Sequence, residues 1–239
     1  RIQRPNLRVI NPYVQLNNNR SQTFGNPELD PEVNDQYEIS YGTFIKGFSL
    51  NTSLFYRRTT AIIESFVTVD DEGFATTTFQ NIGTNDSYGA NIFTSVTIKK
   101  NFTLRGGLNI YTYNGQGTIN GQELERTALI WDGNVSANLK LKRDWIVDMF
   151  GFYRAPRQTL QGTNPTFSIF VMGARKEINE KVSLGIRIVE PFFPDKNFGG
   201  ELEGDNFIQT TDTDIPFRNF AINLRYRSEE HTSELQSPV

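Results

Sequence analysis

From about residue 37 to about residue 226 the chain switches between apolar and polar side chains at every step, in nine blocks of about ten residues. Within residues 131–141, Trp131, Gly133, Val135, Ala137, Leu139 and Leu141 point one way, while Asp132, Asn134, Ser136, Asn138 and Lys140 point the other. Only a β-strand has this period, because successive Cβ atoms leave opposite faces of the pleat.

Mean hydropathy is −0.46, with 37% hydrophobic and 13% aromatic residues, and no run approaches the roughly 20 apolar residues of a spanning helix. A helical membrane protein is excluded. A transmembrane barrel is not, because its polar inner face halves the hydropathy of every strand.

The blocks fall at about residues 35–45, 48–63, 83–98, 102–113, 127–141, 145–154, 166–176, 181–190 and 217–227, and Arg1–Arg4 supply the end of a tenth. Tight turns at 46–47, 99–101, 142–144 and 179–181 alternate with long loops at 5–34, 64–82, 114–126, 155–165 and 191–216. Alternation along a strand also describes a soluble β-sandwich. Alternating short and long connections favour an antiparallel up-and-down transmembrane β-barrel, with short periplasmic turns and longer external loops. Ten residues at about 3.3 Å each, tilted near 45°, cover roughly 25 Å of height.

The rows expected to meet lipid are Phe48, Leu50, Thr52, Leu54, Tyr56; Phe102, Leu104, Gly106, Leu108, Ile110; and Phe220, Ile222, Leu224, Tyr226, none interrupted by a charge. Glu38, Asn51, Arg57, Arg105, Asn109, Asp148, Arg187, Asn223 and Arg225 fall on the opposite rows and are expected to line water or a plug. Aromatics at strand ends, among them Tyr37, Tyr56, Trp131, Trp145, Tyr153, Phe167 and Tyr226, are expected to form two headgroup-level girdles.

Residues 228–239, with Arg227, resemble the read-through translation of a sequencing adapter, so the chain divides into residues 1–227 and a non-native tail. Without Glu229, Glu230 and Glu234 the 27 acidic residues fall to 24, matching the 24 Lys and Arg, and the net charge moves from −3 to zero. His231, the single histidine, lies in that tail, and there is no cysteine. Zinc sites, disulfides and catalysis by a histidine base or a thiol are thereby ruled out of residues 1–227. The balanced charge gives no case for nucleic acid. No charged start with an apolar core follows Arg1, and the expectation is an internal-to-C-terminal piece of a longer protein.

Residues 25–41, GNPELDPEVNDQYEISY, resemble the G-N-P-x-L-x-P-E signature that precedes a barrel strand in TonB-dependent outer-membrane receptors. Pro27 and Pro31 fix φ and lack donors, so the chain stays extended and unpaired until Glu32. Asn81–Asn91, NIGTNDSYGAN, is similar to the return strand of that family, with Asn91 where a Glu is usual. FRNFAINLRYR from Phe217 resembles its closing strand, with Ser228 in place of the terminal Phe. The resemblance implies about nine or ten strands from the C-terminal part of a 22-stranded barrel in a Gram-negative outer membrane. The complete receptor would carry an N-terminal plug and a TonB box. The implied partners are outer-membrane lipid, the TonB complex acting through the missing plug, a solute (siderophore, cobalamin, oligosaccharide or peptide) and a surface lipoprotein. A non-transporting barrel (adhesin, structural protein or lipid-active enzyme) and a secreted β-sandwich binding module stay open beside it.

No catalytic, cofactor or metal residue is expected, and the chain reads as a non-enzyme. Asp70, Asp71 and Glu72, and Asp212 and Asp214, suit either a loop calcium site or solvated loop charge. Gly115, Gly117 and Gly121 read as a flexible loop. Six residues are candidates for ligand contact. Phe192, Phe193, Phe198 and Phe207 fit either a ligand or packing of their loop on itself. Arg154 and Arg157, at the outer end of their strand, fit an anionic ligand or lipopolysaccharide, or salt bridges to neighbouring loops.

Overall fold

The computed structural model describes residues 1–119, 122–204 and 207–227. The expected foreign tail, 228–239, and Gly121 lie outside the described residues. Ten strands form one sheet: β1 (Ile2–Gln3), β2 (Glu32–Ile45), β3 (Phe48–Thr60), β4 (Gly83–Ile98), β5 (Phe102–Ile119), β6 (Gln122–Lys140), β7 (Trp145–Arg154), β8 (Phe167–Glu177), β9 (Val182–Val189) and β10 (Asn219–Tyr226). Each pairs antiparallel with its neighbour in sequence, so the order is a plain up-and-down meander from β1 to β10. The sheet is an open wall: among the described residues β1 and β10 are not paired with each other.

Tight turns close one end of the wall. Lys99–Lys100 and Arg143–Asp144 take positive φ at both central residues, the backbone twist that matches a two-residue hairpin. At the other end the loops carry structure of their own. Strands Gln15–Asn18, Ser21–Thr23, Ala75–Asn81 and Ile63–Val69 make a four-stranded sheet. A second joins Arg157–Gln158, Gly162–Asn164, Gly200–Gly204 and Phe207–Thr211, and Asp195–Asn197 pairs with Asp214–Pro216.

Residues 114–126, expected as a loop, instead continue β5 to Ile119 and start β6 at Gln122. Here Gln116 faces Glu125 and Gly115 faces Arg126, so both faces are polar or small and the apolar alternation vanishes while the ladder goes on.

Register assigns every wall residue to a face. Ser53 pairs with Ser40 and Asn91, Asn91 with Asn109, and Asn109 with Asp132, so the polar row of each strand lies beside the polar row of the next. The other face is apolar and open, with Ile39 81% and Ile222 79% exposed. Aromatics band it as expected. Tyr37 stacks on Tyr56 at 6.3 Å, Tyr56 meets Tyr88 at 4.9 Å, and Trp131 stacks on Tyr153 at 4.7 Å, toward the long-loop end. Near the tight turns the Lys176 ammonium lies 5.8 Å from the Trp145 ring. Phe167 departs from this band: it pairs with Arg154, itself opposite Asp132, and so belongs to the polar face.

On the wall itself, Phe55 and Ile130 are buried on the polar face beside Tyr111. The buried cluster of Phe66, Ile82 and Leu160, with Leu124 against it, sits among the loops. An apolar face this open is stable only against hydrocarbon. Ile222→Arg is therefore expected to lower stability in lipid vesicles by about 2–4 kcal/mol, and the neighbouring Asn223→Arg by far less, as read from urea unfolding.

Candidate functional site

The two signature segments bind each other. Asn81 Nδ2 donates to the carbonyls of Asp30 (2.9 Å) and Ala61 (2.8 Å), and its Oδ1 accepts from Asp30 N at 2.8 Å. Asn26 Nδ2 donates to Phe79 O at 3.1 Å, and Glu32 Oε1 accepts from Ile63 N at 2.8 Å. The Pro-bounded entry to β2 is thereby stapled to the hairpin 63–81. That hairpin returns to the wall at Gly83, where a Cβ would stand 1.9 Å from Gln116 O, so only glycine fits.

The polar face carries two different surfaces. Over β2 to β6 it is acid and amide. Asn91 Nδ2 donates to Ser53 Oγ at 3.1 Å, Asn109 Nδ2 to Asp132 Oδ1 at 3.1 Å, and Ser40 Oγ to Glu38 Oε1 at 2.8 Å, around a concavity of about 510 Å³. Over β5 to β10 it is cationic: Arg105, Arg175, Arg187 and Arg225 line a concavity of about 730 Å³ with Asp148 as its acid. Gly173 stands opposite Arg187, and Gly185 opposite Arg175, which leaves room for the long side chains.

At the long-loop end this face finishes in a cluster of rings. Phe167 lies 6.2 Å from Phe152, 6.3 Å from Phe198 and 6.3 Å from Phe217, with the Arg154 guanidinium 5.8 Å from its centroid. The Arg154 Nε is buried and has no hydrogen-bond partner among the described residues. Arg154 and Phe198 are thus brought together, with Phe167 and Phe217 as members that loop composition did not reveal. The register of Phe167 opposite Arg154 is the signal that could have found them.

The other candidates lie elsewhere. Arg157 is exposed, and Phe207 is half-buried in the outer sheet, opposite Gly204. Phe192 and Phe193 pack on Phe170, which shares the apolar face with Met172. Asp70 closes its hairpin turn, its Oδ1 accepting from Glu72 N (3.0 Å) and Phe74 N (2.8 Å), while Asp214 Oδ1 accepts from Asn197 Nδ2 at 3.0 Å.

The loops above the polar face are locked by one carboxylate. Glu64 Oε1 accepts from Tyr113 Oη at 3.2 Å and Oε2 from Leu160 N at 3.2 Å, tying the 63–81 hairpin to β5 and to the 155–165 loop. Gln161 adds a backbone-like bridge, accepting from Val67 N at 2.9 Å and donating to Val67 O at 2.8 Å. Burial raises the Glu64 carboxyl above its ordinary 4.5, against the lowering effect of its two donors. A raised folded value means the docked state prefers the proton. Docking is therefore strongest below the ordinary value and weakens as pH rises through the raised one. Amide-exchange protection factors at residues 63–69 are expected to fall from pH 4.5 to pH 7.5, and Glu64→Gln to flatten that dependence.

The chain matches the outer membrane protein beta-barrel family over residues 1–226. No curated protein matches it in sequence. Similar solved structures include the ferric enterobactin receptor PfeA of Pseudomonas aeruginosa in complex with enterobactin, at 15% identity and TM-score 0.62, covering 94% of this chain and 37% of that one. The copper transporter OprC is similar at 12% identity and TM-score 0.61, covering 85% and 33%. The FrpB iron transporter of Neisseria meningitidis is similar at 12% identity and TM-score 0.56, covering 83% and 32%. The chain thus spans about a third of the length of each, and at these identities the likeness is one of fold. An open meander with a lipid-ready outer face, matched over residues 1–226, makes this chain a member of the outer membrane protein beta-barrel family, placed in the Gram-negative outer membrane.

Proposed function

We propose that residues 1–227 are the C-terminal part of a TonB-dependent receptor that binds a scarce solute at its outer mouth and imports it through a plugged barrel. The observation that carries this reading is an up-and-down β-meander whose match to an enterobactin receptor spans 94% of this chain but only 37% of that one. The remaining strands and the plug belong to the rest of such a molecule. No bond is made or broken in this function, and the wall serves as a polar track.

Solute contact is assigned to the mouth cluster. Arg154 offers its half-buried guanidinium, 5.8 Å from the Phe167 centroid and with a buried Nε that has no partner among the described residues, beside Phe152 and Phe198, which both meet Phe167. A cation against aromatic faces suits an anionic or aromatic solute, since rings supply low-entropy contact and the guanidinium supplies charge. Siderophore, cobalamin, oligosaccharide and peptide are the classes to separate, because specificity resides in loops and plug rather than in the wall.

Deleting the gene is expected to abolish growth on one of these solutes supplied at limiting concentration. Loss of TonB is expected to have the same effect, and Arg154→Ala with Phe167→Ala to raise the half-saturating concentration about tenfold. Unchanged accumulation of every class in the deletion strain would show a non-transporting barrel instead.

A further inference from the structure

The apolar row of β9 runs Leu184, Ile186, Ile188, and the next position on that row is Glu190. A bare carboxylate there would face hydrocarbon. The chain avoids this by turning at Glu190, whose φ is +52°, and folding the following Pro191-Phe192-Phe193-Pro194 back over the apolar face. Phe192 meets Phe170 edge-on at 5.8 Å, and Phe193 lies 6.4 Å from the same ring. Phe170 in turn leans over Gly151, where a Cβ would stand 3.1 Å from the ring.

Beneath the rings lies an ion pair. Lys196 Nζ is 2.9 Å from Glu190 Oε1 and 2.9 Å from Ser168 Oγ, and it sits 5.5 Å from the Phe193 centroid. Glu190 Oε1 also accepts from Phe170 N at 3.0 Å. Arg218 holds the segment from the other side, Nε donating to Glu190 O and Nη2 to Pro191 O, both at 3.1 Å. Pro194 O accepts from Phe217 N at 2.8 Å and Arg218 N at 3.0 Å.

The polarity of this element is inverted relative to a loop in water. Glu190 and Lys196 are 0% and 8% exposed, whereas Phe192 and Phe193 are 60% and 57% exposed. Hiding a charged pair while presenting two phenyl rings is unfavourable against water, where charges hydrate and apolar area costs about 25 cal/mol per Å². Against hydrocarbon both signs reverse.

Height agrees with this. Phe170 lies six residues from Lys176, the partner of Trp145 in the inner aromatic band. That is about 20 Å along the strand and about 14 Å of height at 45° tilt, inside an apolar band about 25 Å tall. Phe170 is also two residues below Ser168, which pairs with Tyr153 of the outer band.

We propose that Pro191–Pro194 is a membrane anchor: Phe192 and Phe193 insert among the acyl chains of the outer leaflet, and the Glu190–Lys196 pair clamps them there. The proposal rests on the outer-membrane placement of the wall and is continuous with that lipid-facing surface.

The chain contains no cysteine, so once any cysteine in the remainder of the receptor is changed to serine, single nitroxide labels report without background. Labels at Phe192→Cys, Phe193→Cys, Ile222→Cys and Asp71→Cys are compared in the receptor reconstituted in phosphatidylethanolamine–phosphatidylglycerol vesicles. Collision with oxygen and with a water-soluble nickel chelate is measured for each. At 192 and 193 oxygen is expected to dominate as at 222, with chelate collision several-fold below that at 71. Chelate access at 192 and 193 equal to that at 71 would overturn the proposal, and so would low access to both reagents, which signifies protein cover. A label at 222 that reports water would instead sink the membrane placement of the wall. Lys196→Met is expected to raise chelate access at 192 toward the value at 71; no change would remove the clamp from the proposal.

Discussion

Solvation of one face of the sheet by hydrocarbon is the constraint on which the other features depend. A β-wall with Ile39, Leu54 and Ile222 open on one side would collapse or aggregate in water. Lipid removes that problem and imposes two others: every backbone group must be paired within the wall, and no charge can stand on its outer row. The antiparallel ladders meet the first demand between neighbouring strands, with Tyr88 N donating to Thr112 Oγ1 where the β4–β5 ladder is interrupted, and the rows Phe48 to Tyr56 and Phe220 to Tyr226 meet the second. Glu190 is the place where the row would fail, and the chain changes direction there.

Because hydrocarbon replaces a second layer, a buried apolar cluster forms among the loops. Phe66, Ile82 and Leu160 bury one another above the polar face, and Glu64, Gln161 and Asn81 spend their side chains on loop backbone. These loops are ordered elements rather than slack connections. Burial makes the Glu64 carboxyl that ties them together favour the proton, so their docking carries a pH dependence.

The strands were legible because lipid on one side and water on the other leave a period-two mark. Block boundaries at 48, 83, 102 and 145 coincide with strand starts at Phe48, Gly83, Phe102 and Trp145. Where the strands rise beyond the lipid both faces are wet, as at Gln116 and Glu125, and the mark disappears although the hydrogen bonds continue. The place of Phe167 at a strand end points to the girdle. Its parity is that of Arg154, and only cross-strand register shows which face a terminal ring takes. The four loop phenylalanines were legible as a group but not as three separate placements, Phe207 lying in the outer sheet opposite Gly204. Phe198 joins the polar face and Phe192 and Phe193 the apolar one, because a glutamate in a positive-φ conformation reverses the chain, and no residue preference foretells that.

The polar face is divided by how its side chains are satisfied. Asn91, Ser53, Asn109 and Asp132 close hydrogen bonds on one another, so this half presents little unmet demand to whatever fills the lumen. The arginine half is different in kind. A guanidinium carries five donors in a fixed fork and remains charged at any physiological pH. Arg105, Arg175, Arg187 and Arg225 share one concavity with a single lining acid, Asp148, whose Oδ1 accepts from Asn138 Nδ2 at 2.5 Å. Excess positive charge on a concave wall focuses the field into the lumen and raises the local concentration of anions. The polar face is therefore polarised across its width, with the guanidinium-lined concavity toward β8, β9 and β10 and the amide-lined one toward β2, β3 and β4.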